Sequence, residues 1–273
     1  MEYPIVTVKT RDHVTLHGML FEAKKPAGIV INIHGSASNF YEEDFVKEMA
    51  LRLPQHHFSF LSTNNRGNAV LAHTWQSCGS AVEKFGDCLK DIDGWVSFAV
   101  KKGYKKIVLQ GHSLGTEKIV YYMNKGRYRT ILSGIILLGF SDSYGHAIRF
   151  MERRKAKNKL FAEARALVAH KKGDQFLTSL WYCHAGTLPK SAASFLNQFS
   201  ENSELSKALP FRLKKLPLYA RIHVPILAVI SDNDKFTDAD IVTGGSEPTI
   251  LTVIEAVALL KRSNRATEEY IIK

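Results

Sequence analysis

Ile107-Val108-Leu109-Gln110-Gly111-His112-Ser113-Leu114-Gly115-Thr116-Glu117-Lys118-Ile119-Val120-Tyr121-Tyr122-Met123 is the stretch on which the reading of this chain turns. Its β-branched start reads as a strand, and Ile119, Val120, Tyr122 and Met123 fall on one face of a helix. Between them, GHSLG sets Ser113 in a glycine-flanked turn. A strand, a sharp turn carrying serine and a helix form the arrangement of a nucleophile elbow. Glycines suit it because side chains two residues either side of the serine would collide across the turn. The helix beyond begins with unpaired N–H groups and a positive dipole end, which favour an oxyanion beside Ser113. The alternative is a strand–loop–helix turn with an incidental serine. The flanking elements argue against it, and Ser113 is the candidate nucleophile.

The strand–helix alternation extends in both directions. Residues 3–9 and 14–22 read as an antiparallel hairpin, and residues 28–34 as a continuous apolar strand suited to the middle of a parallel sheet. A helix is expected over 41–53, with Glu42, Glu43 and Asp44 in its first turn. A strand at 58–62 then runs into the polar loop Thr63-Asn64-Asn65-Arg66-Gly67-Asn68. Residues 85–102 form an amphipathic pattern, with Phe85, Cys88, Leu89, Ile92, Trp95, Val96 and Ala99 on one face. Further strands are expected at 131–138, 224–231 and from 269 onward, with a helix over 249–262 capped from Ser246 or Thr249. That helix should turn Leu251, Ile254, Val257, Ala258 and Leu260 inward. The fold class is α/β: a doubly wound, mostly parallel sheet. Ligand sites in such sheets lie at the carboxyl ends of the strands, where His34-Gly35, the 64–68 loop and Ser113 all fall.

Between residues 140 and 218 the rhythm changes to helix patterns, over 147–170, a Trp181-Tyr182-Cys183-His184 segment and 191–209. This region reads as a helical cap insertion. The expected domain plan is a core of residues 1–139 and 219–273, with the cap at 140–218. Phe150, Phe161, Trp181, Tyr182 and Phe195 either line an apolar cleft or pack the cap helices together, and helix packing is the commoner use of such residues.

The chain of 273 residues has 45% hydrophobic residues, enough for a sizeable core, and a formal charge of +11. About fifteen Lys/Arg against five Asp/Glu lie between His146 and Arg221. That excess reads as a solvated helical face or as a field favouring anionic or metal-chelating ligands. No nucleic-acid-binding motif accompanies it. No apolar run approaches the ~20 residues of a membrane span, and the N-terminus lacks a signal-peptide layout. Three cysteines without a CxxC pair point to a reduced, cytoplasmic setting. Metal-ligand spacings and phosphate-binding glycine loops are absent from the sequence, so no cofactor and no metal are expected.

Taken together, the His34-Gly35 turn, the GHSLG elbow and the strand-end acids in VPILAVISDNDKFT resemble the α/β-hydrolase fold family. NNRGN, EKFGDCLKDIDGW and GHSLGTEKIVYYM look more closely like the siderophore-esterase-like DUF1749 group. The resemblance implies a serine hydrolase acting on a small-molecule ester or related acyl substrate. Ser113 would be the nucleophile, and backbone N–H groups of Leu114 and Ser36 (or Ala37) the oxyanion hole. Asp234, with Asp232 as the fallback, would be the acid that orients a histidine. Acyl transfer or lactone hydrolysis would use the same machinery.

The family's histidine follows the final strand, whereas all eleven histidines here precede Val224. His112 adjoins the nucleophile but should point away from it. His34 belongs to the turn, and His146 and His184 to the cap. The chain stops at Lys273, where the Asp-His turn of relatives should begin, with the last strand incomplete and no closing helix. A truncated sequence, inactive as it stands, is therefore the expectation. The alternative is a catalytically dead hydrolase fold used as a ligand-binding or interaction module.

Overall fold

The computed structural model describes residues 4–73, 77–178, 181–183, 186–232 and 251–273, with backbone alone at 72–73, 77, 181–183 and 186–187. Eight strands form one sheet: β1 (Ile5–Lys9), β2 (Thr15–Phe21), β3 (Gly28–Ile33), β4 (Phe58–Thr63), β5 (Ile107–His112), β6 (Gly134–Leu138), β7 (Ile226–Ser231) and β8 (Thr267–Ile272). Their order is β1-β2-β4-β3-β5-β6-β7-β8. β1 and β2 form the expected antiparallel hairpin, and β2 also pairs antiparallel with β4. Every pairing from β4 onward is parallel. β8 begins at Thr267, two residues earlier than the sequence suggests, and pairs with β7 from Ile226↔Thr267 to Ser231↔Ile272.

β3 lies mid-sheet and all six of its residues are buried. Its alternation separates the two faces. Ile29, Ile31 and Ile33 join one core with Ile92, Trp95 and Val96 of α2 (Cys88–Lys101), Ile119 and Val120 of α3 (Leu114–Lys125), and α8 (Val253–Ser263). Val30 turns to the opposite face, with Phe60 and Val46 of α1 (Asp44–Gln55).

α1 starts three residues later than expected. The Asn39 side-chain carbonyl accepts from the N–H groups of Tyr41 and Glu42, both at 2.9 Å, and this turn holds the segment out of the helix. α8 is capped by Thr252, whose hydroxyl accepts from Glu255 N–H while the Glu255 carboxylate accepts from Thr252 N–H. The expected caps Ser246 and Thr249 lie outside the described residues. The later start shifts the buried stripe to Val253, Ala256, Val257 and Leu260, and leaves Ile254 75% exposed.

The segment expected as one helix over 147–170 is two, α4 (Ser143–Arg153) and α5 (Lys157–Ala169). Lys155 has φ 53°, its N–H donates to Glu152 O, and Ala156 N–H donates to Met151 O. These two bonds make a Schellman C-cap with lysine where glycine is usual, so the sequence carries no stop signal there. The 191–209 segment likewise divides into α6 (Ala192–Phe199) and α7 (Glu204–Ala208), with the Ser203 hydroxyl capping α7. Residues 181–183 and 186–188, expected in a helical region, pair as a short antiparallel hairpin.

Helices α4 to α7 pack on the elbow end of the sheet. Leu114 and Tyr121 of α3 share a core with Tyr144, Met151, Phe161 and Phe195. Phe161 and Phe195 meet ring to ring at 5.0 Å, so these two aromatics pack helices together.

Candidate active site

Ser113 sits between β5 and α3 with φ 51° and ψ −124°, a conformation that costs energy for any residue with a side chain. Its surroundings hold it there. Ser113 N–H donates to Leu138 O at 3.0 Å, tying the turn to the end of β6, and Ser113 O accepts from Thr116 N–H at 2.8 Å. A Cβ on Gly111 would meet Gly115 O at 2.3 Å, and one on Gly115 would meet Ile33 O at 2.2 Å. The two glycines are thus required by close backbone approach.

The turn after β3 lies directly against the serine. A Cβ on Gly35 would be 3.0 Å from Ser113 Cβ and 3.4 Å from its Oγ. Ser36, next in the chain, is exposed, and Leu114 opens α3. The structure therefore brings together three of the four sequence-assigned positions: Ser113, Leu114 and the turn carrying Ser36. The fourth, Asp234, lies outside the described residues. Asp232 is exposed at the end of β7, its N–H donating to Ile272 O at 2.9 Å.

The histidines near the elbow have other engagements. His34 is wholly buried, with Nε2 accepting from Asn65 N–H at 3.1 Å and Nδ1 2.7 Å from Gly35 O. The first bond requires the proton on Nδ1, which then donates to Gly35 O. Burial, reinforced by the nearby Lys118 ammonium, lowers its pKa to about 3, so it stays neutral. His112 turns toward α1, with its ring 5.0 Å from Phe45 and Nδ1 3.8 Å from Glu43 Oε1. His146 stacks on Phe150 at 5.9 Å within the insertion. His184 lies outside the described residues.

Beneath the elbow is a set of buried charges absent from the sequence reading. Lys118 Nζ meets Glu83 Oε1 at 2.5 Å and Asn65 Oδ1 at 3.0 Å, with both charged side chains almost fully buried. Asn65 is the residue whose N–H holds His34, so α3 and the His34-Gly35 turn share one anchor. Glu117 is also buried, and burial pushes its pKa well up. It accepts from the N–H and hydroxyl of Ser143 at the start of α4. The neighbouring Asp142 caps α4 through Gly145 N–H and pairs with Arg212 Nη1 at 2.8 and 2.9 Å. In the sequence, Glu117-Lys118 reads as an ordinary polar pair on a helix. No local signal marks either as buried.

The 64–68 loop proves to be a brace. Arg66 reaches Asp91 at 2.8 Å and Asp12 at 2.9 Å, and Trp95 Nε1 donates to Asn64 O at 2.8 Å. Among the described residues, no cluster of His, Cys, Asp and Glu has the arrangement of a metal site. No helix among them is long and apolar enough to cross a membrane.

An eight-stranded, mostly parallel sheet with a serine elbow after its fifth strand defines the α/β-hydrolase fold, and solved structures share it. An esterase of Pyrococcus furiosus is 18% identical with a TM-score of 0.58, over 100% of this chain and 82% of that one. The ferulic-acid-bound Est1E of Butyrivibrio proteoclasticus is 16% identical, TM-score 0.60, over 98% and 89%. A soluble variant of the Saccharomyces cerevisiae monoglyceride lipase, in complex with a substrate analogue, is 14% identical, TM-score 0.65, over 100% and 87%. No curated protein sequence matches the chain. Residues 15–252 match the family described as "Protein of unknown function (DUF1749)", and the chain belongs to that family.

Proposed function

We propose that this chain is an esterase-type serine hydrolase whose nucleophile is Ser113. The observation that carries the reading is the strained Ser113 backbone, held at φ 51° with the Gly35 turn packed against its side chain. Folds shared with esterases and a lipase support it, as does the exposed position of Ser36 beside the serine.

In the reaction, Ser113 Oγ attacks the acyl carbon and gives up its proton. The carbonyl oxygen becomes an oxyanion held by the N–H groups of Leu114 and Ser36, each such donor being worth about 3 kcal/mol. The C–O bond to the alcohol breaks, the departing oxygen takes up the proton that Ser113 released, and water then cleaves the acyl-Ser113 ester left behind. Asp234 would orient the base that takes the serine proton. Within these 273 residues no histidine follows His223 to fill that role. In a serine protease, losing the histidine costs about six orders of magnitude in turnover, which sets the scale of what such a base supplies.

The second reading, a binding module on a silent hydrolase fold, is favoured by that same missing base. A fluorophosphonate probe separates the two. The 273-residue chain is expected to label weakly, to label faster with added imidazole as a substitute base, and to lose all labelling in Ser113→Ala. If imidazole produces no Ser113-dependent labelling, the hydrolase reading fails and the binding module stands.

The substrate is a small ester. The basic excess of the insertion favours an anionic or metal-chelating one. The setting is a cytoplasmic one, on the strength of cysteine usage; Cys88 is buried and free, and burial raises its thiol pKa.

A further inference from the structure

A cavity of about 430 Å³ opens between β1, α2 and the residues after α3, and it includes no residue of the elbow or of the Gly35 turn. Its rim carries Lys9, Arg11, Lys90, Lys101 and Arg127 against a single acid, Asp93. Asp93 offsets one of these charges, and its Oδ1 also accepts from Tyr122 OH at 2.7 Å and Arg127 N–H at 3.1 Å. Lys90 is neutralised by Asp12 and Asp87. Among the described residues, Lys9, Arg11 and Lys101 have no ion-pair partner. The net result is a concave surface with uncompensated positive charge, of the size of a small-molecule site.

The wall is one face of α2, where Lys90, Gly94, Ser97 and Lys101 recur at three- and four-residue intervals. Lys90 and Lys101 lie about 16 Å apart along the axis, at a helical rise of about 1.5 Å per residue. Gly94 sits midway. Glycine is a poor choice in a helix interior, and packing does not demand it. A Cβ there would meet only Val8 Cγ2 at 3.6 Å and Thr10 Cγ2 at 4.0 Å, which are ordinary contacts. What the missing side chain does is leave the middle of the groove open. The hydroxyls of Thr7 and Ser97 and the rings of Phe98 and Tyr128 complete the lining.

We infer that this groove is a second ligand site, independent of Ser113, which takes a small multiply charged anion of the phosphate type. Lys9, Arg11, Lys101 and Arg127 supply the charge, and Gly94 the space. The same chemistry is offered by a soluble oligophosphate and by the headgroup of a polyphosphorylated lipid.

The test is calorimetric titration of the 273-residue chain with inorganic tripolyphosphate, at low and at physiological ionic strength. Saturable one-to-one binding is expected. It should weaken about tenfold or more in the Lys9→Glu/Lys101→Glu double variant, where two attractions become repulsions. Gly94→Gln, which fills the groove without changing charge and improves helix propensity, should lose binding to a similar extent while melting at the same or a higher temperature. Lys159→Glu on the insertion should bind as the parent does. Sedimentation with phosphatidylcholine vesicles, with and without phosphatidylinositol bisphosphate, assigns the source. Vesicle binding displaced by tripolyphosphate supports a lipid headgroup, and tripolyphosphate binding without vesicle binding supports a soluble anion. Absence of saturable binding overturns the proposal. So does full affinity in Gly94→Gln, or a loss in Lys159→Glu equal to that of the double variant.

Discussion

Gly35 and Ser113 touch: a methyl on Gly35 would stand 3.0 Å from Ser113 Cβ and 3.4 Å from Oγ. The contact couples the turn carrying one expected oxyanion donor to the residue it would serve. Gly35→Ala must displace one of them by a few tenths of an ångström. The variant is expected to fold, to melt within a few degrees of the parent, and to lose imidazole-dependent fluorophosphonate labelling. Unchanged labelling would show that the contact is not needed.

The elbow's second glycine tolerates less. A Cβ on Gly115 would lie 2.2 Å from the backbone oxygen of Ile33, which cannot move without disturbing β3. Gly115→Ala should cost about 2 kcal/mol or more in urea unfolding. Gly86→Ala, where a Cβ meets nothing within 4 Å, is the control and should be neutral within about 0.5 kcal/mol.

Lys118 and Glu83 face each other with almost no solvent. Glu83→Ala strands a buried ammonium and is expected to destabilise the fold by about 3–5 kcal/mol. Replacing both, as Glu83→Gln/Lys118→Met, should cost clearly less than Glu83→Ala, because no charge is then left unpaired. A double variant as unstable as the single one would mean that packing dominates the site.

His34 is held neutral with a pKa near 3 against an ordinary value of 6.5. The unfolded chain therefore binds a proton that the folded one refuses between those values. The stability associated with His34 is fully present above about pH 6.5 and falls as pH drops toward 3, by an amount on the order of a few kcal/mol. Urea unfolding at neutral and mildly acidic pH measures it. His34→Gln, which cannot titrate, should narrow the gap to the parent as the solution is acidified.

Lys155 occupies a left-handed position, φ 53°, that glycine adopts without strain. Lys155→Gly is expected to stabilise the protein by about 0.5–1 kcal/mol, seen as a raised thermal midpoint. A loss of stability would show that the lysine side chain makes a compensating contact.

Much of the core was legible in the sequence because its signals are local. Phe85, Cys88, Ile92, Trp95, Val96 and Ala99 repeat at helical spacing and are all buried; β3 is apolar throughout and lies mid-sheet. The insertion was less legible. α4 ends before Lys155 and α6 before Ser203 without glycine or proline to mark the breaks, and the short hairpin is held by cross-strand pairing that periodicity does not register.

By itself the sequence determined the elbow, the strand–helix rhythm around it, and the absence of any histidine after His223, since each depends on neighbouring residues or on a count. The tertiary structure decided what surrounds the elbow. It placed Gly35 against Ser113, joined Lys118, Glu83 and Asn65 beneath it, and turned Lys9, Gly94 and Lys101 onto one groove. Most of these residues are far apart in the chain, and the same lysine is solvated or buried depending only on what folds over it. Local pattern specifies elements, whereas burial and charge pairing are fixed when the elements meet.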